Sequence, residues 1–356
     1  MIIDLRSDTV TRPTEEMLEC MRRAEVGDDS RDGDPTVEEL EGLAAQICGK
    51  QAAAFMPSGT MSNLVALLAH GGHGGVALME ESAHIFRSEM GSVSTIAGLL
   101  PNPIPGQRGA MDLDNLGGAI NGKLTRNRLN VAVVCMESSH NEAGGAVLPL
   151  RHMEAVHHLA ESHDVPVHLD GARLFNAACR LRVDVRDIAC YAQSVSFCLS
   201  KALSAPVGSL LVGTTAFVER ARAFRRMLGG NMRQAGILAA AGIVALTRMV
   251  VRLEEDHRTA RELANGFQRL EPTLIDPESV ETNIVRLDLG AIGQDAGFWC
   301  VELKKRNVLV AQQGKSALRF VTHRHIDHEC VGRVVRAFAD IWKAMRHSTP
   351  KTGTTL

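Results

Sequence analysis

Two apolar runs that each stop at a charged side chain constrain this chain most. Val165–Leu169 runs straight into Asp170, and Val195–Leu199 into Ser200-Lys201. Unbroken apolar runs of this length are expected of strands buried on both faces, as in parallel sheets covered by helices. A carboxylate and an amine at the C-terminal ends of such strands lie where open α/β sheets bind ligands. The neighbouring pattern agrees. Ala52–Met56 is a short apolar strand, Pro57-Ser58-Gly59-Thr60 a turn, and Asn63–His70 an apolar helix. Asn130–Met136 predicts another buried strand, His152–His163 a helix and Leu210–Val212 a further short strand.

The same reading extends outward. Thr14–Glu25 predicts a helix, with Met17, Leu18 and Met21 at helical spacing, and Pro35 opens the next one after the polar loop Gly27–Pro35. A long helical stretch from Gly236 to about Leu270 leaves the first domain. Short strands near Asn283–Leu287, Val308–Val310 and Leu318–Val321 and a helix from His328 to about Met345 compose a smaller α+β domain. The expected division is a segment 1–14 contributing to the active site, a large domain 15–248, a small domain 249–346 and a polar, disordered tail 347–356.

Composition narrows the class of function. The chain has 356 residues, 45% apolar and 22% charged, with 39 basic against 41 acidic side chains for a formal charge of −2. No basic excess of the kind nucleic-acid binding needs is present. No run of ~18 apolar residues predicts a membrane span, and the N-terminus lacks the basic-then-apolar order of a signal peptide. Eight scattered Cys without a C-x-x-C pair predict free thiols in a reducing, cytoplasmic compartment.

The chemistry lies at the strand ends. Burial lowers a lysine's pKa and yields the nucleophilic amine that Schiff-base chemistry needs, although Lys201 taken alone reads equally as a surface lysine in a loop. Asp170 at a strand end is commonly a helix cap, but beside such a lysine it keeps a pyridine nitrogen protonated. Ser58, Gly59 and Thr60 enter a helix and present backbone N–H groups and hydroxyls to a phosphate, or serve as a plain N-cap. Ser200 adds a hydroxyl. Phosphate cup, carboxylate and lysine in this chain order fit pyridoxal 5′-phosphate (PLP). Among fourteen His, His84 and His140 stand out; each alone reads as an ordinary surface or core residue, while a ring stacked on the cofactor and a nearby base are both roles for His. The string His323–His328 is read as a strand entering the last helix with Asp327 as its cap, and no metal site is expected.

With these motifs in place the chain resembles the L-threonine aldolases, in the β-eliminating lyase group of the aspartate-aminotransferase-like fold (fold type I). The resemblance covers nearly the whole chain. It rests on DLRSDTVTRP (Asp4–Pro13), VGDD (Val26–Asp29), PSGT (Pro57–Thr60), HLDGAR (His168–Arg173), LSK (Leu199–Lys201), APVGS (Ala205–Ser209) and GGNMRQAG (Gly229–Gly236). It implies a large domain with a mixed, mainly parallel seven-stranded sheet between helices and a small C-terminal α+β domain.

It also implies roles. Lys201 matches the lysine that carries PLP as a Schiff base, Asp170 the partner of the pyridine nitrogen and Arg173 the contact to the phenolic oxygen. Gly59 and Thr60 match phosphate contacts. His84 matches the ring stacked on the pyridine, and His140 a His near the substrate hydroxyl. Ser7 and Arg319 match the pair on the substrate carboxylate. Arg226 and Arg233 match residues reaching a neighbouring subunit's phosphate, so a dimer at least, and a homotetramer with shared sites, is implied. The chain departs from the pattern at Arg31, where relatives carry Tyr, at Ala202 and Ser204, and in the longer stretch after His140. The implied reaction is cleavage of a small β-hydroxy amino acid, L-threonine or L-allo-threonine, to glycine and an aldehyde. A β-eliminating lyase or an aldolase for another β-substituted amino acid is the rival enzyme, and a PLP-fold binding or regulatory protein the rival of another class.

Overall fold

The computed structural model describes residues 2–71, 74–121 and 129–348. The chain divides into two compact units, one formed by Thr11–Glu254 and the other by the N-terminal segment up to Val10 together with the chain from Glu255 onward.

The larger unit is built on a seven-stranded sheet: β1 Ala52–Met56, β2 Val76–Glu80, β3 Leu100–Ile104, β4 Val131–Glu137, β5 Val167–Asp170, β6 Ser194–Cys198 and β7 Ser209–Gly213. Its spatial order is β1-β7-β6-β5-β4-β2-β3. β3, β2, β4, β5 and β6 pair in parallel, and β7 runs antiparallel to both β6 and β1. The mixed, mainly parallel α/β sheet expected from the sequence is therefore present.

Period-two alternation buries both faces. Phe55, Leu78, Val134, Met136, Leu169, Val195 and Leu210 face a core shared with Met17 of α1 (Glu15–Arg23), Leu40 of α2 (Pro35–Cys48) and Met153 and Val156 of the helix Leu150–Glu161. Their sequence neighbours face the other way. Ala77, Met79, Val133 and Cys135 meet Leu64 and Leu67 of α3 (Gly59–Gly71), while Ala54, Met56 and Leu211 meet Phe217 and Val218 of α4 (Thr215–Met227). Each fully buried large apolar side chain contributes about 1.5–3 kcal/mol, which is why these strands read as continuous apolar runs.

Local signals set the helix starts. Thr14 accepts from Met17 N, and Asp34, just before Pro35, accepts from Val37 N. Strands β2 and β3 are additions to the sequence reading. β3 carries Pro101 and Pro103, which disguise it, and its place at the sheet edge is where proline is tolerated. The helical run Gly236–Leu270 is long and apolar enough by composition to cross a membrane. It is accounted for as core, since Ala239, Ala241, Val244 and Ala245 pack beneath the sheet.

In the smaller unit, strands β8 Ile284–Asp288, β9 Ala311–Gln313 and β10 Ala317–Val321 form an antiparallel sheet in the order β8-β10-β9. Ile3 and Asp4 pair with Val308 and Leu309, and Leu5 accepts from Val321 N at 2.8 Å. Ile3 and Leu5 thus join a core around Trp299, Phe267, Phe320 and Phe338. The last helix reaches Ser348, and the remainder of the expected tail lies outside the described residues. Asp327 caps that helix through Cys330 N at 2.8 Å. His323 meets the Asp4 carbonyl at 2.8 Å and His328 meets Glu262 at 3.0 Å, so both of these rings in the His-rich string have contacts within the unit.

Candidate active site

The C-terminal ends of β1, β4, β5 and β6 supply the polar side chains of the larger unit. Ser58 closes β1's turn by accepting from Met61 N at 3.2 Å, and α3 begins at Gly59. A Cβ on Gly59 would lie 2.8 Å from Cys198 Sγ, so a glycine is needed where this turn presses against the end of β6. Ser58 and Thr60 stay exposed at the helix N-terminus. Three residues beyond Cys198, Lys201 is half-buried, and Thr11 donates to its carbonyl at 3.0 Å. Lys201 and Arg173 line one small cavity with Cys198, Asn176 and Leu203.

Asp170 is 2% exposed at the end of β5. Its Oδ1 accepts from Ala172 N at 3.0 Å and its Oδ2 from Asn63 Nδ2 at 2.8 Å. His84 opens a short helix after β2. Its backbone N donates to Glu137 at 2.6 Å, and its ring Nδ1 lies 3.1 Å from Glu89 Oε1. Ligand-type atoms of His84, Glu89 and Asp170 all lie within 4.8 Å of one another. The Glu89 hydrogen bond holds His84 above its ordinary pKa, against the effect of burial. Burial pushes Glu89 and Glu137 above the usual carboxylate range.

His140 occupies a different setting. The ring is fully buried, with Nε2 3.1 Å from Glu80 and 3.6 Å from Glu137, while Nδ1 accepts from Ala143 N at 3.3 Å. Burial alone would lower its pKa, but the Glu80 hydrogen bond and the Glu137 charge raise it. Glu137 therefore links the two expected histidines, one through its backbone and one through its ring. Glu80, Glu89, Glu137 and Asn63 were not singled out from sequence. The only signal for Asn63 was a polar residue on the buried face of an apolar helix.

Arg31 is exposed on the turn Asp28–Gly33, its Nε 3.7 Å from Asp28. Arg233 contacts Ser30 and lies 3.5 Å from Asp28 of the same turn. Arg226 is exposed on α4. Its neighbours do not form a solvated basic face, because Arg225 is buried and Arg222 pairs with buried Glu41. In the smaller unit Arg319 donates to the carbonyl of Arg6, the residue before Ser7, at 3.2 Å, and Ser7 Oγ accepts from Thr9 N at 3.2 Å.

The donor set suits the cofactor that the sequence implies. A helix N-terminus with a tightly packed glycine offers backbone N–H groups, a buried carboxylate is held by two donors, and an amine and a guanidinium share a cavity. The Oε2 of Glu89 is a further buried polar atom with no hydrogen-bond partner among the described residues.

The family model of the β-eliminating lyases matches residues 4–289. The chain belongs to the β-eliminating lyase family. Among curated members, it is 38% identical over 344 residues to the low specificity L-threonine aldolase of Escherichia coli K12, covering 96% of this chain and 99% of that one. It is 38% identical over 352 residues to low-specificity L-threonine aldolase 1 of Arabidopsis thaliana, covering 97% of each. Among solved structures, a threonine aldolase from Leishmania major superposes with a TM-score of 0.82 at 16% identity, over 95% of this chain and 99% of that one. This last likeness establishes the family's fold for the chain.

Proposed function

We propose that the protein is a PLP-dependent aldehyde-lyase that cleaves β-hydroxy-α-amino acids, L-threonine and L-allo-threonine among them, to glycine and an aldehyde. The observation that carries this reading is the match, over almost the full length of both chains, to low-specificity L-threonine aldolases. The placement of Lys201, Asp170 and the Gly59 turn around one set of strand ends supports it. When bound, PLP supplies a protonated pyridine ring that draws off the electron pair released at Cα.

The side chains divide the remaining work. Lys201 offers the amine that holds the cofactor covalently, and Asp170 holds the proton on the ring nitrogen. The N-terminus of α3, with Ser58, Gly59 and Thr60, takes the phosphate, and Ser200 adds a hydroxyl. Arg173 meets the phenolic oxygen. His84 would meet the pyridine ring. Ser7 and Arg319 would hold the substrate carboxylate and so orient the bond to be cleaved. His84 and His140 are the candidate bases for the β-hydroxyl proton. Arg31 borders the substrate's β-substituent. Arg226 and Arg233 reach the phosphate of a neighbouring subunit in a homodimer or homotetramer. A cytoplasmic location accords with the free cysteines.

The deciding experiment incubates the PLP-loaded protein with L-threonine, L-allo-threonine, phenylserine and an acidic analogue, and measures glycine and aldehyde. Glycine from at least one of them is expected. No glycine from any, with pyruvate and ammonia from another amino acid, overturns the aldolase reading in favour of β-elimination.

A further inference from the structure

Asn63 lies on the buried face of α3 with 2% of its surface exposed. Its Nδ2 donates to Asp170 Oδ2 at 2.8 Å and to Glu89 Oε1 at 2.9 Å. Its Oδ1 accepts from Ser196 Oγ at 2.7 Å and lies 3.1 Å from His168 Nε2. A side-chain amide has two N–H donors and two acceptor lone pairs, so all four are used. The two carboxylates decide which way the amide faces, since the reverse orientation would turn its oxygen onto both of them. One amide thus separates two buried acids that would otherwise repel one another.

Glu89 spends the same oxygen on His84 Nδ1, at 3.1 Å. A carboxylate on Nδ1 selects the tautomer with its proton there and leaves the lone pair on Nε2. No described residue hydrogen-bonds Nε2, and the His84 side chain is 31% exposed. His140, by contrast, has both ring nitrogens engaged and is 0% exposed. The charged groups facing His84 are Glu89 from its own segment, Glu137 from the end of β4 and Asp170 from the end of β5.

We propose that Glu89 is a positioning residue that holds His84 with Nε2 ready to accept the substrate's β-hydroxyl proton, and that Asn63 divides the two buried carboxylates so that Asp170 serves the cofactor and Glu89 serves the base. The arrangement is that of a base oriented by a third group. It rests on the aldolase reading above. The hydroxyl proton moves to Nε2, the O–H electron pair becomes the second C–O bond of the aldehyde, and the Cα–Cβ pair stays with Cα. Glu89 steadies the imidazolium without taking the proton. One proton leaves the hydroxyl and one is added at Cα to complete glycine, so the balance closes.

The test uses Glu89→Gln in the PLP-loaded protein. The bound cofactor's visible spectrum is expected to persist, while kcat/KM for threonine falls by about 10²–10⁴. Loss of the anionic partner moves the acid limb of the pH profile to lower pH. Glu89→Asp keeps the charge and keeps the limb; a limb displaced as far as in Glu89→Gln overturns the argument. In a His84→Gln background, Glu89→Gln is expected to change the rate by less than about twofold. Independently of turnover, the His84 ring titration followed by NMR, assigned by its loss in His84→Gln, moves to lower pH in Glu89→Gln. An unmoved titration, or two substitutions whose effects multiply, overturns the proposal. If the wild-type protein releases no glycine, the aldolase reading falls while the NMR titration still decides whether Glu89 governs His84.

Discussion

Arg225 Nη2 lies 2.6 Å from Asp29 Oδ2, with only 4% and 11% of the two side chains exposed. The same guanidinium donates to the Phe55 carbonyl at 2.7 Å and to Asn231 Oδ1 at 2.9 Å. The pair therefore anchors the Asp28–Gly33 turn, which carries Arg31, to the last residues of β1. Removing the cation leaves Asp29 shielded from water without its partner. Arg225→Met is expected to cost about 3–5 kcal/mol of stability, read from urea denaturation. A loss below about 1 kcal/mol would show that the turn is held by other contacts.

Lys201 offers a spectroscopic check. Lys201→Ala is expected to remove the visible absorption of covalently held cofactor from the protein after gel filtration. A variant that keeps the wild-type band assigns the covalent attachment to another amine.

Asn63→Leu keeps much of the side chain's volume but strips one donor each from Asp170 and Glu89. Hydrogen bonds to charged groups contribute about 1.5–3 kcal/mol. PLP affinity is expected to fall by about 10- to 100-fold in a spectral titration. Wild-type affinity in this variant would mean that Ala172 N alone suffices to hold Asp170.

The pH dependence of stability carries the signature of two buried neutral rings. His70 Nε2 lies 2.7 Å from Ser194 Oγ and His168 Nδ1 2.9 Å from the same oxygen. Burial pulls His70 down to about 3 and His168 down to about 4, from an ordinary 6.5. A ring whose folded pKa lies below its unfolded one contributes stability that is complete above 6.5 and is lost as pH falls toward the folded value. Each ring adds a slope of about 1.4 kcal/mol per pH unit in that window. Buried Glu41, Glu89 and Glu137 titrate with the opposite sign, so the comparison is with His70→Gln, in which those acids are unchanged. The wild-type slope is expected to exceed the variant's by about 1.4 kcal/mol per pH unit between pH 6 and 4.5. Equal slopes would mean that His70 is not held neutral.

Arg31 is the test of substrate range. Its side chain is 78% exposed and only loosely paired with Asp28, so its charge is open to a ligand. Arg31→Ala is expected to lower kcat/KM for a β-hydroxy amino acid with an anionic β-substituent by about tenfold, while changing threonine less than about twofold. Equal effects on both substrates would remove Arg31 from substrate selection.

What could be read in advance follows a physical line. Asp170 and Lys201 were legible because each interrupts an apolar strand with a charge, which burial makes costly and therefore conspicuous. Asn63 and Glu89 were not, because an amide in an apolar helix and an acid in a loop look ordinary until folding sets the amide between Glu89 and Asp170. Arg225 is hidden in the sequence for a related reason. Four arginines on one helix resemble a solvated face, and only the strand end at Phe55 and the turn at Asp29 show that one of them is buried. β3 escaped notice because Pro101 and Pro103 argue against a central strand, and the sheet order alone reveals an edge.

That edge has a consequence for association. Leu100 donates to the Gly75 carbonyl at 2.9 Å and the Ile104 carbonyl accepts from Glu81 N at 3.0 Å, so these alternate residues of β3 bond inward. In a parallel strand the intervening residues turn their backbone groups the other way. Pro101 and Pro103 hold those outward positions, and neither has an N–H to offer. The rim is therefore a poor template for a foreign strand, which guards concentrated protein against strand-by-strand aggregation along this side.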